Sequence, residues 1–140
     1  MSLTLIVQLC GLAHIALGLG SIAIPKMLNW KEAFIQSPVL IKQMFWTYAG
    51  YILAINLFFG IVSLLLTNEL LAPSGLAFAL NTLIALYWIA RLIIQFTYFD
   101  KTGVPTGGLY LVGEWALVLL FIVFSGVYSY TAYLTATQWM

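Results

Sequence analysis

Four long runs of apolar residues, separated by shorter polar stretches, set the pattern of this chain. They extend over about residues 3–24, 45–66, 76–99 and 109–134. An α-helix of 22 residues is about 33 Å long, and the hydrocarbon core of a bilayer is about 30 Å thick. A helix also satisfies its own backbone hydrogen bonds in lipid. The pattern therefore predicts an all-α fold with four transmembrane helices.

The connections between the runs predict how the helices are arranged. The longest connection, about residues 26–42, mixes aromatic and charged side chains, which is typical of an amphipathic segment in the headgroup region. The second and third connections are short and contain Pro and Gly, which favour turns. Short connections make consecutive helices antiparallel neighbours. We therefore expect one domain over residues 1–140, an integral membrane four-helix antiparallel bundle.

Composition supports a bilayer as the surroundings of this chain. Of its 140 residues, 64% are apolar and 6% are charged, whereas a soluble domain carries about 25% charged residues. The net charge of +1 provides no basic face for nucleic acid, so no such partner is expected. Cys10 is the one cysteine, which excludes disulfides within the chain. The first run lacks the positive start of a secretory signal, and we expect it to be a retained helix.

The lysines predict the orientation of the helices. Lys26, Lys31 and Lys42 lie in or beside the first connection, and Lys101 lies in the third, whereas the second connection and both termini have neither Lys nor Arg. Basic residues accumulate on the cytoplasmic side of membrane proteins. We therefore expect the first and third connections in the cytoplasm and both termini outside.

Polar residues inside the apolar runs are the candidates for function. An ionisable side chain in lipid is costly, so it usually faces the protein interior and has a role there. Three ionisable residues are accompanied here by three neutral polar residues and by one deeply placed tryptophan. The predicted ligand-binding or polar interior residues are His14, Asn56, Asn81, Trp88, Arg91, Gln95 and Glu114.

Helical periodicity places these residues on one face of each run. At about 100° per residue, each set falls within a narrow arc of the helix. The sets are Gly11, His14, Gly18 and Ser21; Asn56, Gly60 and Ser63; Asn81, Trp88, Arg91 and Gln95; and Glu114, Phe121, Ser125 and Tyr128. We expect the four polar faces to turn inward, leaving Leu, Ile, Val and Phe towards lipid.

Arg91 and Glu114 are predicted to form an ion pair. They lie at similar depths on consecutive runs, where an unpaired charge would be costly. Gln95, one turn from Arg91, can bond either partner. The pair would be a structural clamp or part of a ligand site, or Arg91 could instead extend its guanidinium to the membrane surface. Trp88 could make a cation–π contact with Arg91, line a ligand cavity or simply pack.

His14 has a structural and a functional interpretation. It could hydrogen-bond across helices, or serve a proton relay or a ligand. Haem with two axial imidazoles would need a homodimer, since the chain has one histidine, and zinc lacks a second strong ligand at matching depth. We therefore predict neither a metal site nor a catalytic residue. The pairs Ala16–Gly20 and Gly50–Ala54 have the small-xxx-small spacing that permits close helix approach.

Three short features of the chain resemble the DoxX-like group of small bacterial four-helix membrane proteins. They are the Gly11-Leu12-Ala13-His14 stretch, Pro25 at the exit of the first run, and Gly113-Glu114 near the start of the fourth. The resemblance implies a bacterial inner membrane and an association with membrane redox or quinone-linked systems. It implies no catalytic residue.

Three functions compete. The first is a non-catalytic binding module for an apolar ligand, a quinone or a lipid, or a subunit that docks a larger membrane redox complex. The second is a channel or carrier for protons or a small solute, lined by His14, Arg91 and Glu114, which would require a homo-oligomer. The third is a membrane enzyme that acts on lipid, with His14 or Glu114 as acid or base.

Overall fold

The computed structural model describes residues 1–103 and 106–140, and these residues form seven helices and no strand. The all-α prediction is confirmed for this part of the chain. Val104 and Pro105, in the predicted third loop, lie outside the described residues. The helices are α1 (Leu3–Ser21), α2 (Ile24–Met27), α3 (Trp30–Ala33), α4 (Val39–Leu65), α5 (Thr67–Leu70), α6 (Gly75–Thr97) and α7 (Gly108–Trp139).

Four of these helices, α1, α4, α6 and α7, are long and apolar enough to cross a membrane. Their ends differ from the apolar runs of the sequence. Helix α1 ends at Ser21 rather than 24, α4 begins at Val39 rather than 45, and α7 continues to Trp139 rather than 134. Helical structure does not require apolar side chains, so polar residues such as Lys42 and Thr135 continue the helices beyond the apolar runs.

The first connection folds against the start of α4. The ring of Trp30 lies 4.8 Å from that of Phe45 and 5.9 Å from that of Trp46, while Phe34 lies 4.6 Å from Phe45. The Lys42 ammonium donates to the carbonyl of Ile35 over 3.2 Å. The predicted amphipathic segment 26–42 is thus two short helices and the first turn of α4, held by an aromatic cluster.

The helices pack in two compact units, Met1–Thr67 and Asn68–Met140. In the first unit, α1 packs against α4 at its glycines. A Cβ on Gly11 would lie 2.9 Å from the carbonyl oxygen of Gly60, and Gly18 faces Leu53 and Leu57. Because positions on α4 fall as positions on α1 rise, the two helices run in opposite directions.

The close helix approach that small-xxx-small spacing permits does not occur at Gly20 or Gly50. A Cβ on either residue would meet no atom within 4 Å. The backbones instead approach at Gly11 and Gly60, on the polar faces of the two helices. Small-xxx-small spacing is frequent in membrane helices and does not itself indicate which face is packed.

In the second unit, α6 packs against α7. Phe78 near the start of α6 stacks on Trp139, Trp88 stacks on Phe121, and Gln95 contacts Glu114. This order also shows two helices that run in opposite directions. Ser74 begins α6 by accepting a hydrogen bond from the backbone N–H of Ala77 over 3.1 Å, which satisfies one of the first free donors of the helix.

The close contact of Gly11 should make it intolerant of any side chain. A Cβ there would lie 2.9 Å from two backbone atoms, the Gly60 oxygen and the Leu64 nitrogen, which cannot move independently of α4. We expect Gly11→Ala to destabilise the protein by about 1–3 kcal/mol, as overpacking does. Gly20→Ala is the matched control on the same helix and should leave stability unchanged or slightly raised. Thermal unfolding in detergent measures both, and equal melting temperatures would contradict the α1–α4 contact.

Candidate functional site

The structure divides the seven predicted site residues between the two units. His14 and Asn56 belong to the first unit, and the other five belong to the second. His14, Asn56, Asn81 and Trp88 are buried, whereas Arg91, Gln95 and Glu114 are partly buried. None of the seven predicted residues is fully exposed, as expected for the predicted polar faces. Each unit contains its own set of candidate site residues.

His14 is held by its own helix. Its Nδ1 lies 2.7 Å from the carbonyl oxygen of Cys10, and its ring meets that of Phe59 edge to face at 6.0 Å. A carbonyl oxygen can only accept, so Nδ1 carries the proton in this bond and Nε2 of the neutral ring is an acceptor. The orientation of the imidazole is therefore fixed within the α1–α4 pair.

Asn56 lies at about the same level of the α1–α4 pair as His14, and its side-chain oxygen is unsatisfied. On α4, Asn56 lies between Leu53, which contacts Gly18, and Gly60, which contacts Gly11. On α1, His14 lies between Gly11 and Gly18. The Asn56 Nδ2 donates to the carbonyl of Ile52 over 2.9 Å, which fixes the amide.

The Asn56 side chain is 5% exposed, and its Oδ1 has no hydrogen-bond partner among the described residues. The hydroxyl of Thr82 is likewise without a partner there, but Thr82 is only partly buried. A threonine hydroxyl can rotate to a carbonyl of its own helix, whereas the amide of Asn56 is already anchored. Asn56 is therefore the stronger candidate for a ligand contact.

Asn81 has a structural role in the second unit. Its Nδ2 donates to the carbonyls of Leu70 and Ala77 over 2.8 and 2.9 Å, and its Oδ1 accepts from the hydroxyl of Thr131 over 2.9 Å. These bonds tie the turn before α6 to both long helices. Thr131 was missed by the sequence analysis, although it lies one turn beyond Tyr128 on the polar face of α7.

The predicted Arg91–Glu114 ion pair is wrong. Among the described residues, the Glu114 carboxylate pairs with the ammonium of Lys101, and the predicted bond from Gln95 is confirmed at 3.3 Å. The Lys101 side chain is 52% exposed and that of Glu114 is 13% exposed. A lysine in the loop can reach this carboxylate on a flexible stem while it remains hydrated, which makes it the better partner.

Arg91 lies against aromatic rings instead. Its guanidinium carbon is 5.0 Å from the ring centroid of Phe99 and 5.5 Å from that of Phe121. Trp88 stacks on the same Phe121 at 4.9 Å, so of the alternatives considered for Trp88 the structure shows packing, and Phe121 lies against both Trp88 and Arg91. Phe99 lies within the predicted run 76–99, although α6 ends at Thr97, and it was missed because the candidates were the polar residues of the runs and Trp88.

Double-mutant cycles can test whether Glu114 pairs with Lys101, as observed, or with Arg91, as the sequence predicted. Glu114→Gln and Lys101→Met should show a coupling free energy of about 0.5–1 kcal/mol, the range of partly exposed ion pairs. Glu114→Gln and Arg91→Met should be additive within about 0.5 kcal/mol, because the two side chains do not pair. Unfolding by denaturant in detergent provides the four free energies of each cycle. Strong coupling of Glu114 to Arg91 would show that the pairing described above is incorrect.

Besides the Thr82 hydroxyl, two positions keep polar groups whose bonding is incomplete within residues 1–103 and 106–140. The Asn56 oxygen requires a hydrogen-bond donor, and the Arg91 guanidinium has aromatic partners and no carboxylate. No group of three or more His, Cys, Asp or Glu side chains that could hold a metal ion occurs in the same residues. Comparison of the chain with protein-family models, with curated proteins and with solved structures finds no match.

Proposed function

We propose that the protein is an integral membrane four-helix antiparallel bundle that acts as a non-catalytic binding module for an apolar ligand with a hydroxyl group, either the reduced form of a quinone or a lipid. The distribution of side chains supports the membrane setting. Large apolar residues such as Leu5, Leu9 and Leu12 are exposed on α1, while the polar His14 on the same helix is fully buried. Such a surface is suited to lipid rather than to water.

The Asn56 oxygen is the observation that carries the proposed binding function. A buried acceptor without a donor costs about 1–3 kcal/mol, and a bilayer supplies no water to relieve it. An apolar residue at this position would avoid that cost. The amide is fixed by its bond to Ile52, so its oxygen presents a lone pair in a defined direction. A ligand that donates a hydrogen bond would satisfy this oxygen.

The polarity of this bond selects the chemical class of the ligand. An amide oxygen can only accept, so the ligand must have an O–H or N–H group. A quinol, the reduced form of a quinone, has two hydroxyl groups, and a diacylglycerol has one. An oxidised quinone has carbonyl oxygens alone and would leave Asn56 unsatisfied. The resemblance to DoxX-like proteins, with its implied quinone-linked system in a bacterial inner membrane, is compatible with a quinol.

The proposed site predicts a preference for hydroxyl donors. Purified protein in detergent should bind a quinol about tenfold more tightly than its dimethyl ether or the oxidised quinone, the effect of one hydrogen bond. Titration calorimetry under reducing, anaerobic conditions measures the three affinities. Extraction of the purified protein, followed by mass spectrometry and absorbance, identifies any quinol or lipid that it retains from the cell.

Variants of Asn56 distinguish this bond from general apolar binding. Asn56→Leu should abolish the preference for the quinol and raise the melting temperature of the ligand-free protein by a few degrees, because the unsatisfied oxygen is removed. Thr82→Val removes the other unsatisfied buried atom and should leave the preference intact. Equal affinities of the wild-type protein for the quinol and its dimethyl ether would refute the hydroxyl-binding function.

The orientation of the helices is a separate prediction, made from the lysines. Lys26, Lys31, Lys42 and Lys101 favour a cytoplasmic location of the first and third connections, with both termini outside. An alkaline phosphatase fused to the C-terminus should then be active, and a green fluorescent protein at the same position should be dark. A bright fluorescent fusion with an inactive phosphatase would reverse the topology.

A further inference from the structure

The guanidinium of Arg91 lies at the loop end of the α6–α7 pair. Arg91 itself is almost two turns inside α6, which ends at Thr97. Its guanidinium carbon is nevertheless 5.0 Å from the ring of Phe99, which lies beyond that end. The side chain therefore extends along the helix towards the loop. In a bilayer this is the direction of the headgroups, where long basic side chains place their charge.

The two carboxylates that flank the third connection, Asp100 and Glu114, have other partners. Glu114 pairs with Lys101 and accepts from Gln95. Asp100 accepts a hydrogen bond from the backbone N–H of Thr102 over 2.9 Å, and this bond holds the pKa of its carboxyl below the ordinary value. Within the described residues, neither carboxylate lies within 4 Å of the Arg91 guanidinium.

Among residues 1–103 and 106–140, the partners of the Arg91 guanidinium are aromatic rings, and no hydrogen-bond acceptor for it is found. The rings of Phe99 and Phe121 attract the cation but cannot accept the N–H bonds in the plane of the guanidinium. That plane presents five donors in a rigid fork, which matches the oxygens of a phosphate group. The two rings fix the position of the guanidinium near the end of α6, so its N–H groups can bind an anionic ligand without rearrangement.

We propose that Arg91 binds the phosphate of an anionic phospholipid at the loop end of α6 and α7. The rings of Phe99 and Phe121 hold the guanidinium, and its N–H groups donate to the phosphate oxygens. The acyl chains of the lipid lie along apolar side chains that both helices expose near this end, Ile93, Phe96, Leu111 and Trp115. The site consists of residues of the second unit, so it is independent of the quinol or lipid proposed at Asn56 in the first.

The wild-type protein tests this site without any substitution. Purified protein is mixed with phosphatidylglycerol or with a diacylglycerol methyl ether of the same acyl chains, which has no hydroxyl group for Asn56, and retained lipid is measured by native mass spectrometry. We expect about tenfold greater retention of phosphatidylglycerol, because charged hydrogen bonds to phosphate are strong. Millimolar inorganic phosphate should not displace the lipid, since it lacks acyl chains. Equal retention of the two lipids, or displacement by inorganic phosphate, would overturn the proposal.

Variants then assign the preference to Arg91. Arg91→Met should reduce the preference for phosphatidylglycerol to within about twofold, and Arg91→Lys, which keeps the charge without the fork, should retain an intermediate preference. Lys31→Met removes an exposed cation from α3 and is the matched control, which should behave as the wild type. Circular dichroism confirms that each variant is helical. An unchanged preference in Arg91→Met, or an equal loss in Lys31→Met, would show that the lipid binds elsewhere or by net charge alone.

Discussion

Water is absent from the hydrocarbon core of a bilayer, so a polar side chain on a membrane helix must find its hydrogen bonds within the protein. Many polar side chains of this chain bond a carbonyl about one turn back on their own helix. Examples are His14 to Cys10, Thr47 to Gln43, Ser125 to Phe121 and Thr135 to Thr131. This local solution requires no partner helix, and it allows the two units to contain polar residues without large networks between helices.

Asn81, Asn56 and Arg91 depart from that local solution, each in a different way. The amide nitrogen of Asn81 donates to its own helix and to the preceding turn, and its oxygen accepts from Thr131 on α7. Asn81 therefore links the parts of the second unit. Asn56 satisfies its donor locally and leaves its oxygen without a partner among the described residues. Arg91 carries a charge that no carbonyl can neutralise. The first is therefore structural, while the other two are the positions where a ligand would improve the bonding.

Sequence periodicity predicted which side of each helix is buried, because rotation about a helix axis is fixed at about 100° per residue. His14, Asn56 and Asn81 are buried as this rule requires. The same rule does not determine how far a flexible side chain extends along the axis, nor what a loop supplies. Lys101 and Phe99 come from the connection after α6, and both changed the expected partners of Glu114 and Arg91. Likewise, glycine spacing did not distinguish Gly11, which contacts α4, from Gly20, which does not.

In the proposed membrane setting, the length of α7 has a consequence for the surrounding bilayer. Its 32 residues extend about 48 Å, well beyond a hydrocarbon core of about 30 Å, whereas the 19 residues of α1 extend only about 28 Å. A bilayer that suits the shorter helix leaves the longer one tilted or protruding, and one that suits the longer helix stretches past the ends of the shorter. Of these two helices, only α7 is longer than the hydrocarbon core, and excess length is accommodated by tilt. A change in acyl-chain length would therefore alter the tilt of α7 more than that of α1.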